Sequence, residues 1–126
     1  MRRPLILIVE DDPIVRDLTA RQLTILGFES IAVRSGEEAI EKDNGSFNLI
    51  LMDIGLPGID GIQATMLIRE NELREHRPRT PIVALTAHAD SKRCKMAGMD
   101  DFLQKPALLN DLKNTLSKWI KSQESA

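Results

Sequence analysis

Three short, uninterrupted apolar runs, Leu5–Val9, Leu49–Met52 and Ile82–Leu85, constrain this chain more than any other feature. Each has the length and the branched side chains of a strand, and none alternates with polar residues, so strands made from them must be buried on both faces. Strands of that kind belong to parallel sheets, whose crossover helices cover both sides. The intervening segments read accordingly. Asp12 before Pro13 marks a helix N-cap followed by proline at the first helical position. The helix expected from Pro13 to Leu26 carries Ile14, Val15, Leu18, Ile25 and Leu26 on one side and stops at Gly27. Ser35-Gly36-Glu37-Glu38 reads as a capping box ahead of Ala39 and Ile40, with Gly45 as the next stop. Asp60-Gly61 opens a third helix to about Arg74, and Ser91 to Ala97 reads as a short fourth. Leu109, Leu112, Leu116, Trp119 and Ile120 recur at helical spacing in a fifth, and weaker strands are expected around Ser30–Val33 and Phe102–Leu103.

Strand and helix alternating through 126 residues describe one α/β domain. Right-handed crossovers make a flavodoxin-like, doubly wound, five-stranded parallel sheet in the order 2-1-3-4-5 the economical arrangement, with helices on both faces. Residues 1–126 are read as that single domain, with a core over 4–121 and a short polar tail from Lys121. Composition matters here for what it excludes. Seventeen Lys and Arg against nineteen Asp and Glu give a net charge of -2, so neither direct nucleic-acid binding nor membrane attachment by this domain is expected. Cys94 stands alone, which rules out an internal disulfide and a Cys-rich zinc site and suits the cytoplasm. Met1-Arg2-Arg3 before Leu5–Val9 mimics the start of a signal peptide, but the run is too short and ends in three acids.

Sheets of this topology bind ligands at the carboxyl ends of their strands, near the switch between strands 1 and 3. Strand 1 stops at Glu10-Asp11-Asp12 and strand 3 at Asp53. Neighbouring strands lie about 4.8 Å apart, so Asp11 and Asp53 repel unless a cation or a shared proton relieves them. Oxygen donors with no Cys or His cluster nearby favour Mg²⁺, with Mn²⁺ as the alternative. Asp12 reads as a helix cap, and the plainest competing view is that all of these acids are caps. Strand 4 stops at Thr86-Ala87 and strand 5 leads to Lys105-Pro106. Singly, such a threonine is a turn residue and such a lysine a surface residue. Together, facing the acids, a hydroxyl and an ammonium form a cradle for phosphoryl oxygens.

This set, Glu10-Asp11, Asp53, Thr86-Ala87 and Lys105-Pro106, one group per strand end, resembles the receiver domain of two-component response regulators over essentially the whole chain. The surrounding segments Ile6–Asp12, Met52–Gly61, Ala84–Ala87 and Ala97–Pro106 agree with it. The resemblance implies that Asp53 accepts a phosphoryl group from a phosphohistidine. It also implies that Asp11, Asp53 and the backbone carbonyl of Gly55 bind Mg²⁺, with Glu10 holding it mainly through water. Thr86 and Lys105 would grip the phosphoryl oxygens, and Ala87 would leave room for the donor or for water. Thr86 and Phe102 would form the switch, Phe102 occupying the aromatic position three before the lysine, although burial in the core accounts for such a residue equally well. The resemblance also predicts a cis Lys105-Pro106 bond.

Partners expected on the same ground are a sensor histidine kinase or a histidine phosphotransfer protein, with the oligomeric state open. Such a domain catalyses its own phosphorylation and dephosphorylation without a separate substrate. The segments Leu85–Ala89 and Ala97–Pro106 look most like receivers attached to hybrid sensor histidine kinases, so a stand-alone regulator and a piece of such a kinase are both open. One departure stands out. Thr86 and Lys105 are nineteen positions apart, fewer than is usual in the family, so helix 4 or the loop before it must be short. His88 in that loop reads as a surface residue and Cys94 as a core filler. Two other functional classes fit less well. A haloacid-dehalogenase-like aspartyl phosphatase places an acid two residues after its nucleophile, where this chain has Gly55. A dinucleotide or flavin binder needs glycines in the first turn, where Glu10-Asp11-Asp12 would repel a pyrophosphate.

Overall fold

A computed structural model describes residues 3–87 and 91–124. Among them β1 (Leu5–Val9), β2 (Glu29–Val33), β3 (Leu49–Asp53), β4 (Ile82–Thr86) and β5 (Asp101–Gln104) alternate with α1 (Pro13–Ile25), α2 (Gly36–Lys42), α3 (Gly61–Arg74), α4 (Ser91–Ala97) and α5 (Leu109–Glu124). The strands form one sheet in the order β2-β1-β3-β4-β5, every neighbouring pair parallel. Fold class and strand order are therefore those expected from the alternation of the sequence.

The two-sided burial of β1, β3 and β4 organises the rest. Ile6, Ile8, Leu49, Leu51, Val83 and Leu85 pack with Leu23 of α1 and with Leu112, Leu116 and Ile120 of α5. The alternate residues, Leu7, Val9, Ile50, Met52, Ile82 and Ala84, pack with Ala39 of α2, Ile62 and Ile68 of α3, and Cys94 and Ala97 of α4. Cys94 is thus a core filler. At the edges the pattern weakens: in β2 only Val33 is buried, and in β5 only Leu103.

One expectation about α1 fails. The sequence pattern puts Ile14, Leu18 and Ile25 on one side with Val15 and Leu26, yet Ile14 is 79% exposed and Ile25 71%, while Thr19 and Leu23 are buried. At about 100° per residue, Ile14, Leu18 and Ile25 share a stripe roughly a third of a turn from the one that Val15, Thr19, Leu23 and Leu26 make. The sheet takes the second stripe. Thr19 fits there because its hydroxyl donates back to the Val15 carbonyl at 2.8 Å, which hides its polarity. The capping boxes also differ from expectation: the reciprocal pair is Asp60 with Gln63, whereas at Ser35 the described bond is the hydroxyl accepting from the Glu38 N–H. Phe102 is not a core residue, being 37% exposed on β5. His88 lies outside the described residues. The Lys105-Pro106 bond is cis, as expected. No helix among the described residues is long and apolar enough to cross a membrane.

At the amino ends of β4 and β5, away from the acids, Arg69 of α3 binds four groups. It donates to the carbonyls of Gly98 at 2.9 Å and Thr80 at 2.8 Å, and to the carboxylates of Glu72 and Asp100 at 2.8 Å each. Asp100 also accepts from the Ile82 N–H and from Arg79. On the other edge of β5, the Trp119 indole donates to Asp101 at 2.9 Å, with the Lys118 ammonium over its ring. Removing one member of a largely buried pair leaves the other charge uncompensated. We expect Asp100→Ala to lower the unfolding free energy by about 3 kcal/mol, measured by urea denaturation; a loss below about 1 kcal/mol would show the cluster to be incidental.

Candidate functional site

β1 and β3 are adjacent central strands, and both run out at the same edge of the sheet. Glu10 follows β1 directly, and its N–H still bonds to the Val33 carbonyl at 3.1 Å, so it remains in the buried layer with no solvent exposure. Asp11, one residue further, is exposed, and Asp12 turns aside to cap α1 through the N–H groups of Ile14 and Val15. Asp53 is the last residue of β3 and only 4% exposed. One carboxylate oxygen from each of Glu10, Asp11 and Asp53 lies within 4.8 Å of the others. The acids expected at the metal are therefore brought together, and Asp12 is a cap, as expected.

The other two strands deliver the opposite charge. Thr86, buried at the end of β4, accepts the Lys105 N–H on its carbonyl at 2.8 Å, which ties the two strand ends together. From there the Lys105 ammonium reaches Glu10 Oε1 at 2.5 Å and Asp53 Oδ1 at 3.1 Å. Asp53 Oδ1 also accepts the Gly55 N–H at 3.1 Å. Gly55 itself is exposed beside Asp53, and Ala87 is exposed next to Thr86.

Burial is the largest influence on Glu10 and pushes its carboxyl up. Lys105 pulls against it while Asp53 adds to it, and the outcome is about 7 instead of the ordinary 4.5. Burial likewise works against the Lys105 ammonium, but its contacts with Glu10 and Asp53 prevail and hold it above the usual lysine value. Three carboxylates facing one ammonium leave negative charge in excess. The donors are all oxygens, which suits a hard divalent cation and leaves nothing for a soft one.

Two supporting contacts are not legible along the sequence. Gly61 opens α3 against the backbone of Asp53, where a β-carbon would stand 2.2 Å from the Asp53 carbonyl oxygen. A glycine in a run of loop glycines gives no sequence signal for such a contact. Gln22 of α1 donates to the Ala107 carbonyl at 2.9 Å and so braces the turn that carries Lys105. Polar residues on a surface helix look alike until the fold brings a loop against one of them.

The Glu10 shift has a readable sign. A carboxyl that holds its proton more tightly when folded contributes stability that is present below about pH 4.5 and is lost as pH rises through about 7. In EDTA, the urea midpoint of the protein should therefore fall relative to that of Glu10→Gln between pH 5 and pH 7.5. Parallel profiles for the two proteins would contradict the buried, raised carboxyl.

Residues 6–117 match the response regulator receiver domain family. The sensor protein GacS of Pseudomonas syringae pv. syringae is 39% identical over 122 residues, covering 94% of this chain and 14% of that protein. The hybrid signal transduction protein dokA of Dictyostelium discoideum is 40% identical over 122 residues, covering 95% of this chain and 7% of that protein. The chain thus spans a small part of the length of these relatives. Among solved structures, the receiver domain of Ssk1 from Saccharomyces cerevisiae, crystallised with the histidine phosphotransfer signaling protein Ypd1, superposes with a TM-score of 0.90 at 30% identity, over 96% of this chain and 91% of that one. The receiver domain of a sensor histidine kinase from Pseudomonas aeruginosa PAO1, with a magnesium ion coordinated in its active site cleft, gives 0.84 at 36% identity, over 95% and 99%. Fold, acidic cluster and these matches agree: the chain belongs to the response regulator receiver domain family, the modules of two-component and phosphorelay signalling.

Proposed function

We propose that Asp53 is the phosphoacceptor of this receiver and that Asp11, Asp53 and the Gly55 carbonyl, with Glu10 mainly through water, hold Mg²⁺ beside it. The observation that carries this reading is the position of Asp53, a buried carboxylate in contact with the Lys105 ammonium and grouped with the carboxylates of Glu10 and Asp11. An oxygen of Asp53 attacks the phosphorus of a phosphohistidine. The new P–O bond forms as the P–N bond breaks, and the imidazole leaves with the electron pair. A divalent cation in the acidic cluster supplies charge neutralisation for the phosphoryl oxygens and for the three carboxylates. Lys105 gives up part of its contact with Asp53 to meet the incoming negative charge. Thr86 offers its hydroxyl from the adjoining strand end, and the side chain of Ala87 is small enough to leave the approach open. In this reading Thr86 and Phe102 are the switch pair, and the exposure of Phe102 on β5 corresponds to an outward ring.

The phosphohistidine belongs to a sensor histidine kinase or a histidine phosphotransfer protein in the cytoplasm. The sensor histidine kinases among the relatives, and the Ssk1 receiver crystallised with the histidine phosphotransfer signaling protein Ypd1, support that choice. We further propose that residues 1–126 act as one receiver domain and that the parent chain is a hybrid kinase, a reading supported by the hybrid signal transduction histidine kinases of Dictyostelium discoideum among the relatives.

Incubation with a small-molecule phosphodonor and Mg²⁺ should add one phosphate, located at Asp53 by mass spectrometry, and Asp53→Asn should take up none. A phosphate that persists on another residue of Asp53→Asn would overturn the assignment.

A further inference from the structure

The turn that carries Glu10 and Asp11 is held from beneath by a residue that the proposed reaction does not use. Arg16 Nη1 donates to the Glu10 carbonyl at 3.0 Å and to the Asp11 carbonyl at 3.3 Å. Four acids stand within six positions of it in sequence, at 10, 11, 12 and 17, yet Arg16 forms no ion pair among the described residues; Asp17 pairs with Arg21 instead. Its contacts go to the backbone of the acid turn and leave every carboxylate oxygen of the cluster to other partners.

We propose that Arg16 is a positioning residue for divalent-cation binding, fixing the Glu10–Asp11 backbone so that the carboxylates converge with Asp53 before a cation arrives. This inference rests on the reading of Glu10, Asp11 and Asp53 as a Mg²⁺ site. The mechanical case is direct. The first turn of α1 is fixed by the Asp12 cap, by the Arg16 N–H to the Asp12 carbonyl at 2.9 Å, and further along by the burial of Thr19 and Leu23. A side chain rooted there transmits the rigidity of the helix to two peptide units that lie beyond the last ladder bond of β1. Lys105 is the contrast, because it sits on Glu10 and Asp53 oxygens and so competes with a cation for them.

The proposal separates from simple electrostatics by sign. A guanidinium near three acids repels a divalent cation, so if charge alone mattered, removing it would tighten binding. If Arg16 positions the turn, removing it weakens binding, and supporting contacts of this kind are commonly worth about tenfold or more in metal affinity. Calorimetric titration with Mg²⁺ alone, at constant ionic strength, reads the difference. We expect Arg16→Met to bind about tenfold more weakly and Arg16→Lys, which keeps a cationic donor but loses the guanidinium's rigid planar fork, about threefold more weakly. Urea midpoints in EDTA should move little for either variant. Arg16→Met binding Mg²⁺ as tightly as the unaltered protein, or more tightly, would overturn the inference. Should Arg16→Met fail to fold, Arg16→Lys decides, and wild-type affinity in that variant overturns it equally. Asp11→Asn identifies which idea has failed. Weakened binding there with none in the Arg16 variants rejects the positioning role, whereas unchanged binding in all three rejects the Mg²⁺ site and the inference with it.

Discussion

Everything at the carboxyl edge of this sheet follows from the enforced proximity of like charges. Unit charges about 4 Å apart near a protein surface interact by roughly 4 kcal/mol, so the Glu10, Asp11 and Asp53 carboxylates, within 4.8 Å of one another, strain the strand ends that carry them. The strain is borne because β1 and β3 are among the best-buried strands of the fold. Ile6 to Val9 and Leu49 to Met52 are fully buried, and burying each such side chain contributes about 1.5–3 kcal/mol. Lys105 takes up part of the remaining charge, and Glu10 takes up more by keeping its proton further toward neutrality than a carboxyl ordinarily does. The hydrophobic sheet is in this sense what allows the acidic cluster to persist.

Much of the arrangement could be read from sequence because the same residues that define the strands also end them. An unbroken run such as Leu49–Met52 has one plausible environment, and the topology then decides where Asp53 must stand. Glu10, Thr86 and Lys105 were legible for the same reason, since each directly follows or ends a strand, and Asp11 stands one residue beyond Glu10. Helix α1 shows where such reading stops. Its sequence carries two apolar stripes of three hydrophobic residues each, and the one that also contains Thr19 faces the sheet, where the threonine hydroxyl is satisfied by the Val15 carbonyl. Phe102 failed as a core residue because β5 is an edge strand, and composition alone does not distinguish edge from centre. Gly61, Gln22 and Arg69 act through backbone groups distant in sequence or through close approach, neither of which leaves a pattern along the chain.

The two helical layers differ in how they are fastened. α1 and α5 press on the sheet through Leu23 and through Leu112, Leu116 and Ile120. The short α4 contributes Cys94 and Ala97, and the turn that follows it is anchored by Arg69 and Arg79, both donating to the Gly98 carbonyl. Its hold on the sheet therefore combines a small apolar footprint with polar fastening at one end.

The environment of Trp119 gives the molecule an optical property of its own. The chain contains one tryptophan and no tyrosine, so its near-ultraviolet emission comes from a single fluorophore with no tyrosine to transfer energy to it. That indole is half-buried on α5, hydrogen-bonded to Asp101 at the start of the same strand that carries Phe102 and leads to Lys105. An excited indole is sensitive to the field of a nearby carboxylate and of the ammonium above its ring. The wavelength and lifetime of this one emitter therefore report the state of the β5–α5 edge in the unlabelled protein.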